Sequence, residues 1–172
     1  YLIWGFLTVT GLFALVTGRW SVAFVSLATL CLTFLPLLLQ SWSGVRIPTG
    51  FIAAIIFFIM ASLFLGEVGD FYERLWWWDV FLHSFSAIGF GMIGTVLILM
   101  MVESERLEAS AFLAAFFAFC FGIAIGAIWE IFEYWMDQIF GLNMQKSGLV
   151  DTMYDLMVDC LGAAIGASAG YA

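Results

Sequence analysis

Seven ionisable residues carry the chemistry open to this chain. Asp79 and His83 stand four apart in WDVFLH, Glu130 and Glu133 three apart in WEIFEYW, and Asp151, Asp155 and Asp159 follow in register through DTMYDLMVD. Spacings of three and four put each set on one face of a helix. All seven lie in or beside segments apolar enough to cross a membrane, where a carboxylate costs about 2.5–3.5 kcal/mol on insertion scales and so needs a partner or a function. Their natural partners are one another.

The pairing of Asp79 with His83 suits two ligands of one metal, or a carboxylate that fixes the tautomer of an imidazole. On the second reading His83 is a catalytic general base and Asp79 its orienting group. Glutamates three apart share the stripe that carries Gly122 and Gly126, small residues that let another helix approach. Aspartates four apart repel along a helix, so Asp151, Asp155 and Asp159 require cations, shared protons, or both. Carboxylates on three helices with one imidazole are similar to the ligand faces of di-metal helical bundles. The expected cofactor is a divalent metal ion held by Asp79, His83, Glu130, Glu133, Asp151, Asp155 and Asp159. Oxygen donors favour Mg, Mn or Ca, and the imidazole extends the choice to Zn or Fe. The alternative is a packing network in which the carboxyls meet Ser84, Ser86, Asn143, Thr152 and Tyr154.

Positioning these residues falls to membrane helices. Of the 172 residues 65% are hydrophobic and 10% charged, against roughly 25% charged in a soluble domain. With about twenty residues needed per span, the pattern predicts an all-α, polytopic transmembrane bundle of about six helices, at 1–17, 20–40, 49–65, 79–102, 109–139 and 150–171. The chain reads as one transmembrane domain, with a three-helix part over 1–65 and a three-helix part over 79–172 that carries the polar site. Pro36 falls late in the second helix, where it can kink it.

Short connections favour antiparallel neighbours. Alternating direction then brings the start of the fourth helix, the end of the fifth and the start of the sixth to one membrane face, where the seven ionisable residues fall. Trp76, Trp77, Trp78, Trp129, Tyr134, Trp135 and Tyr154 crowd the same level, as an interfacial belt does. Arg19, Arg74 and Lys146 fall on one face against Arg46 and Arg106 on the other, a bias too small to set orientation. The chain begins at Tyr1, and its first apolar run, lacking a basic leader and a small-residue cleavage site, reads as a retained helix.

The formal charge of −8 arises from thirteen acids against five bases, and six of those acids belong to the seven-residue set. No basic patch exists for nucleic acid. Cys31, Cys120 and Cys160 are scattered and read as small packing residues. A retinal protein needs a lysine inside a helix, and Lys146 lies in a connection. One histidine excludes bis-histidine haem within the chain. Neither a Walker loop nor a His-Glu-x-x-His zinc motif is present.

The runs WWWDVFLHSFSAIGFG, GAIWEIFEYWMDQIFG and GLVDTMYDLMVDCLGAAIGA resemble the YjdF-type bacterial inner-membrane proteins, a family of unknown biochemical function, and more distantly the VanZ-like membrane proteins. The match covers the last three helices, through Asp79 and His83, Glu130 and Glu133, and Asp151, Thr152 and Asp155. It implies a fold, a multi-pass location in the bacterial inner membrane and a shared polar site, without a reaction.

Three functions fit. One is metal-dependent chemistry on a lipid or lipid-linked substrate, where cations bind a phosphoryl group and activate water. Another is a module that takes up a cation or proton for transport. The third is an assembly subunit that uses its glycine-rich faces against other membrane-protein subunits. The lipid bilayer is the partner common to all.

Overall fold

The computed structural model describes residues 1–44 and 46–169. The protein is all-α, with no strand among the described residues. Backbone groups in hydrocarbon find no water, so apolar runs of this length must satisfy their hydrogen bonds internally, as helices do. The chain divides into two units, Tyr1–Trp78 and Asp79–Ala172.

In the first unit α1 (Leu2–Val16) turns at Gly18, whose φ of 72° favours glycine, into α2 (Trp20–Thr33). The buried face of α2 carries Ser26, Thr29 and Thr33, each hydroxyl bonded to a carbonyl of its own helix, which hides the polar groups from lipid. Trp4 also donates its indole N–H to Thr33 Oγ1 at 3.1 Å. The irregularity expected of Pro36 is a break at Phe34, after which α3 (Leu35–Ser43) begins with the proline in its first turn, where no amide is needed. Then α4 (Thr49–Ile59) runs into a π-helical segment, Met60–Val68, and so extends past the predicted end at residue 65. A short helix, α5 (Phe71–Arg74), occupies a stretch read from the sequence as a turn. Trp78 is buried, its ring edge-on to Phe71 with centroids 4.8 Å apart, and so leaves the exposed aromatic belt.

The second unit holds α6 (Trp78–Glu103), α7 (Ala111–Phe140) and α8 (Leu149–Ala169). Ser110 caps α7 by accepting from the Leu113 amide, and Gly141, at φ 66°, ends it. At about 1.5 Å per residue, the 30 residues of α7 reach about 45 Å, more than the roughly 30 Å of a hydrocarbon core. The predicted end of the last helix at Tyr171, and Gly170 of its glycine series, lie outside the described residues.

Contacts at the glycines give the helix directions. Gly162 of α8 faces Ala87 and Ser84 of α6, and Gly166 faces Ile88 and Gly91, so α6 and α8 run parallel. Gly122 of α7 faces Ala163 while Gly126 faces Asp159, and Gly94 faces Ala118, so α7 runs against both. The interior of this unit is small and polar. In α8 the buried residues are Asp155, Asp159, Gly162, Ala163, Gly166 and Ala167, whereas Leu161 and Ile165 are exposed. Large apolar side chains outside and small ones between helices are what a lipid solvent selects.

Among the described residues four stretches are long and apolar enough to cross a membrane: Trp20–Trp42, Thr49–Val68, Trp78–Glu103 and Ala111–Phe140. The apolar α1 is shorter, and α8 has 21 residues with three aspartates in its first three turns.

Candidate functional site

Parallel α6 and α8 bring their N-terminal turns to the same end of the second unit. Asp79 lies in the first turn of α6 and Asp151 in the first turn of α8, where the helix dipole favours an anion. One turn deeper are His83 and Asp155, and Asp159 follows, all three buried. From antiparallel α7 come Glu130 and Glu133, also buried.

His83 is the hub of these groups. Ligand-capable atoms of Asp79, His83 and Asp155 lie within 4.8 Å of one another. Nδ1 of the ring faces Asp159, 3.3 and 3.4 Å from its two carboxylate oxygens. Nε2, on the opposite edge, is 3.6 Å from Oε1 of Glu130. The carboxylate set against the ring is therefore Asp159 from α8, not Asp79 one turn away on α6. A helix places i and i+4 residues side by side, but the ring reaches across to the facing helices.

Three of the carboxylates are poorly satisfied, among them Asp151, whose Oδ2 is buried without a hydrogen-bond partner. Both oxygens of Glu130 and Oδ2 of Asp155 are buried with no hydrogen-bond partner, and these residues are only 4% and 2% exposed. The Thr152 hydroxyl also stands near Glu130, outside hydrogen-bond length, and accepts from Gln145 Nε2 at 2.7 Å. An unpaired buried acceptor costs about 1–3 kcal/mol.

Of the packing network weighed against a metal site, Thr152 stands against Glu130, while the other expected side chains do not join the cluster. Ser84 donates to the Val80 carbonyl and Ser86 to the His83 carbonyl, both on their own helix. Tyr154 and Asn143 are exposed. Glu133 is set apart differently, since Oε1 accepts from Trp129 Nε1 at 2.8 Å. Asp151 stands at the rim beside Lys146.

Two residues escaped the sequence reading. Asp137 accepts from the backbone amides of Met144 and Gln145 at 2.7 and 2.9 Å, which folds the loop onto the end of α7. Its signal was an acid one turn before the helix-ending Gly141. Gly126 lacks the side chain that would otherwise occupy the position of the Asp159 carboxylate. Read as a packing glycine, it borders the polar site. Gly166, Ser168 and Gly170 have the spacing of a nucleophile elbow, but α8 is helical through Ala169 and supplies no strand-to-helix turn there.

Apolar helices with small residues at their contacts and a buried acid and histidine cluster define a polytopic helical membrane protein. The chain belongs to the family described as Predicted membrane protein (DUF2238), which matches residues 1–172. It is also 32% identical over 108 residues to a Thermotoga maritima protein described as "Uncharacterized protein", a match covering 60% of this chain and 55% of that one. The chain thus spans about half the length of the curated relative it matches. No solved structure matches it.

Proposed function

We propose that the acid and histidine cluster holds a divalent cation, Mg, Mn, Zn or Fe, and serves metal-dependent chemistry on a lipid or lipid-linked phosphate in the bacterial inner membrane. One observation carries the reading: Asp79, His83 and Asp155 offer donor atoms within 4.8 Å of one another, and the Asp155 and Glu130 oxygens at this place are buried without partners. A neutral imidazole with two or three carboxylates suits these metals. The likeness of the three motif-bearing helices to YjdF-type proteins agrees with the location.

The chemistry would be hydrolysis at phosphorus. Held by Asp79, His83 and Asp155, a cation would supply a Lewis acid for a phosphoryl oxygen and for the attacking water. Water oxygen bonds to phosphorus, the bond from phosphorus to the lipid oxygen breaks, and the water proton passes through a carboxylate to that leaving oxygen. His83, held by Asp159 at Nδ1 with Nε2 turned toward Glu130, fits the role of ligand better than that of general base. Asp79, less buried than His83 or Asp155, is then the carboxylate placed to take the proton.

The assembly reading is weakened by the glycines it would use. Gly91, Gly94, Gly122, Gly162 and Gly166 already meet neighbouring helices of the same unit.

Elemental analysis of the purified protein, with phosphate release from a polyprenyl or diacylglycerol phosphate measured beside it, tests the proposal. Near-stoichiometric metal that is lost in Asp155→Asn supports the site. Absence of metal, with a melting temperature indifferent to chelation and re-addition, ends the metal reading.

A further inference from the structure

Asp159 differs from the other acids of the cluster. It is 1% exposed, the most buried of them, and both of its oxygens are engaged by one atom, Nδ1 of His83. An ionised Asp159 only accepts, and against it the ring nitrogen Nδ1 is the donor. The proton on Nδ1 leaves the lone pair of neutral imidazole on Nε2, directed toward Glu130, whose oxygens have no partner. Carboxylate, imidazole and cation in a row is the arrangement in which an outer group fixes tautomer and ring orientation.

Room for the Asp159 carboxylate comes from α7. A Cβ built on Gly126 runs into Oδ2 and Cγ of Asp159, while the equivalent atom on Gly122, one turn away, would stand 2.8 Å from the Ala163 Cβ. The two glycines of one stripe therefore do different things. Gly122 sets the approach of α7 to α8, and Gly126 leaves the space in which the carboxylate meets the ring.

We infer that Asp159 is a positioning residue and not a metal ligand: it holds His83 with Nδ1 protonated and Nε2 presented to the cation beside Glu130, and Gly126 acts through it. This rests on the metal reading for its consequence but not for its geometry, and the two are tested separately. Asp155 and Glu130, with unpartnered oxygens, remain in the ligand set, and Asp159 leaves it.

Mn2+ titration of the purified full chain, followed by its spin resonance, gives the first arm. Asp159→Ala should weaken binding about 10–100-fold, the range for loss of an outer partner, and Asp159→Asn less, because its amide oxygen still accepts from Nδ1. Gly126→Ala should match Asp159→Ala, and the double variant should bind no more weakly than Asp159→Ala alone. A loss in Asp159→Ala as complete as in Asp155→Ala, or effects of Gly126→Ala and Asp159→Ala that multiply, would overturn the assignment.

The second arm needs no metal. The chain has one histidine, so imidazole nitrogen resonances of the metal-free protein report His83 alone. A hydrogen-bonded proton on Nδ1 is expected in the wild type and in Asp159→Asn, and its loss in Gly126→Ala. A ring with no proton on Nδ1 overturns the inference, even if Asp159→Ala fails to fold. If that proton is present and Mn2+ does not bind, the metal reading fails and the positioning role stands.

Discussion

Nε2 of His83 lies 3.6 Å from Oε1 of Glu130, and neither oxygen of that glutamate has a hydrogen-bond partner. Glu133, one turn further along α7, is equally buried but is bonded to Trp129 of its own helix. Two acids of the same type on one helix thus stand in different states of satisfaction.

Glu130→Gln should weaken divalent metal binding by more than about 100-fold, beyond what loss of an outer partner produces, and Glu133→Gln by less than about tenfold. Mn2+ titration of each variant checks this. Equal losses would mean that the Trp129 bond does not hold Glu133 away from the cation.

The glycine contacts predict opposite signs for the same substitution on neighbouring helices. A methyl at Gly166 of α8 would meet the Ile88 carbonyl, a backbone group that cannot turn aside, and Gly166→Ala should cost about 1–3 kcal/mol. At Gly89 of α6 nothing lies within 4 Å, and Gly89→Ala should stabilise the helix by about 0.5–1 kcal/mol. Thermal unfolding in detergent measures both. A neutral Gly166→Ala would show that α6 and α8 can part without penalty.

The sequence made the helices legible because a hydrocarbon solvent leaves an apolar run no other form. It also made legible which end of α6, α7 and α8 carries the acids, since short connections force alternation. Partner choice was harder to read. Spacing pairs Asp79 with His83 along α6, yet the ring bonds across to Asp159, because spacing along one helix says nothing of what the facing helix presents. The role of Gly126 was hidden for the same reason: a missing side chain identifies close approach but not the group that approaches. The break at Phe34 followed from Pro36, whereas the π-helical stretch Met60–Val68 and the short α5 had no comparable mark.

Asp137 holds the loop between α7 and α8 through the Met144 and Gln145 amides. Asp137→Ala should remove both bonds and raise hydrogen exchange at these two amides by about tenfold or more, as loss of about 1.5 kcal/mol of local stability implies. Asp137→Asn, with one acceptor oxygen left, should fall between. Unchanged exchange in the alanine variant would show that Gln145, through its bond to Thr152, holds the loop without Asp137.

On the proposed metal reading, the cluster is a cost to the metal-free fold. Glu130 is 4% exposed with both oxygens unpaired, and an unpaired buried polar group costs about 1–3 kcal/mol, which an apolar residue of similar volume avoids. Glu130→Leu should therefore raise the melting temperature of chelator-treated protein. Wild-type protein, in contrast, should gain about 2.7 kcal/mol when a suitable divalent ion is supplied at 100 times its Kd. The variant should respond far less to the same ion, since it has lost a ligand beside Nε2 of His83. Melting curves of both proteins, with chelator and then with Mg, Mn, Zn or Fe restored, make the comparison. A Glu130→Leu variant less stable than metal-free wild type, together with a wild type that ignores every ion, would mean that the glutamate is satisfied by a shared proton and that the cluster serves the packing of α7 against α6.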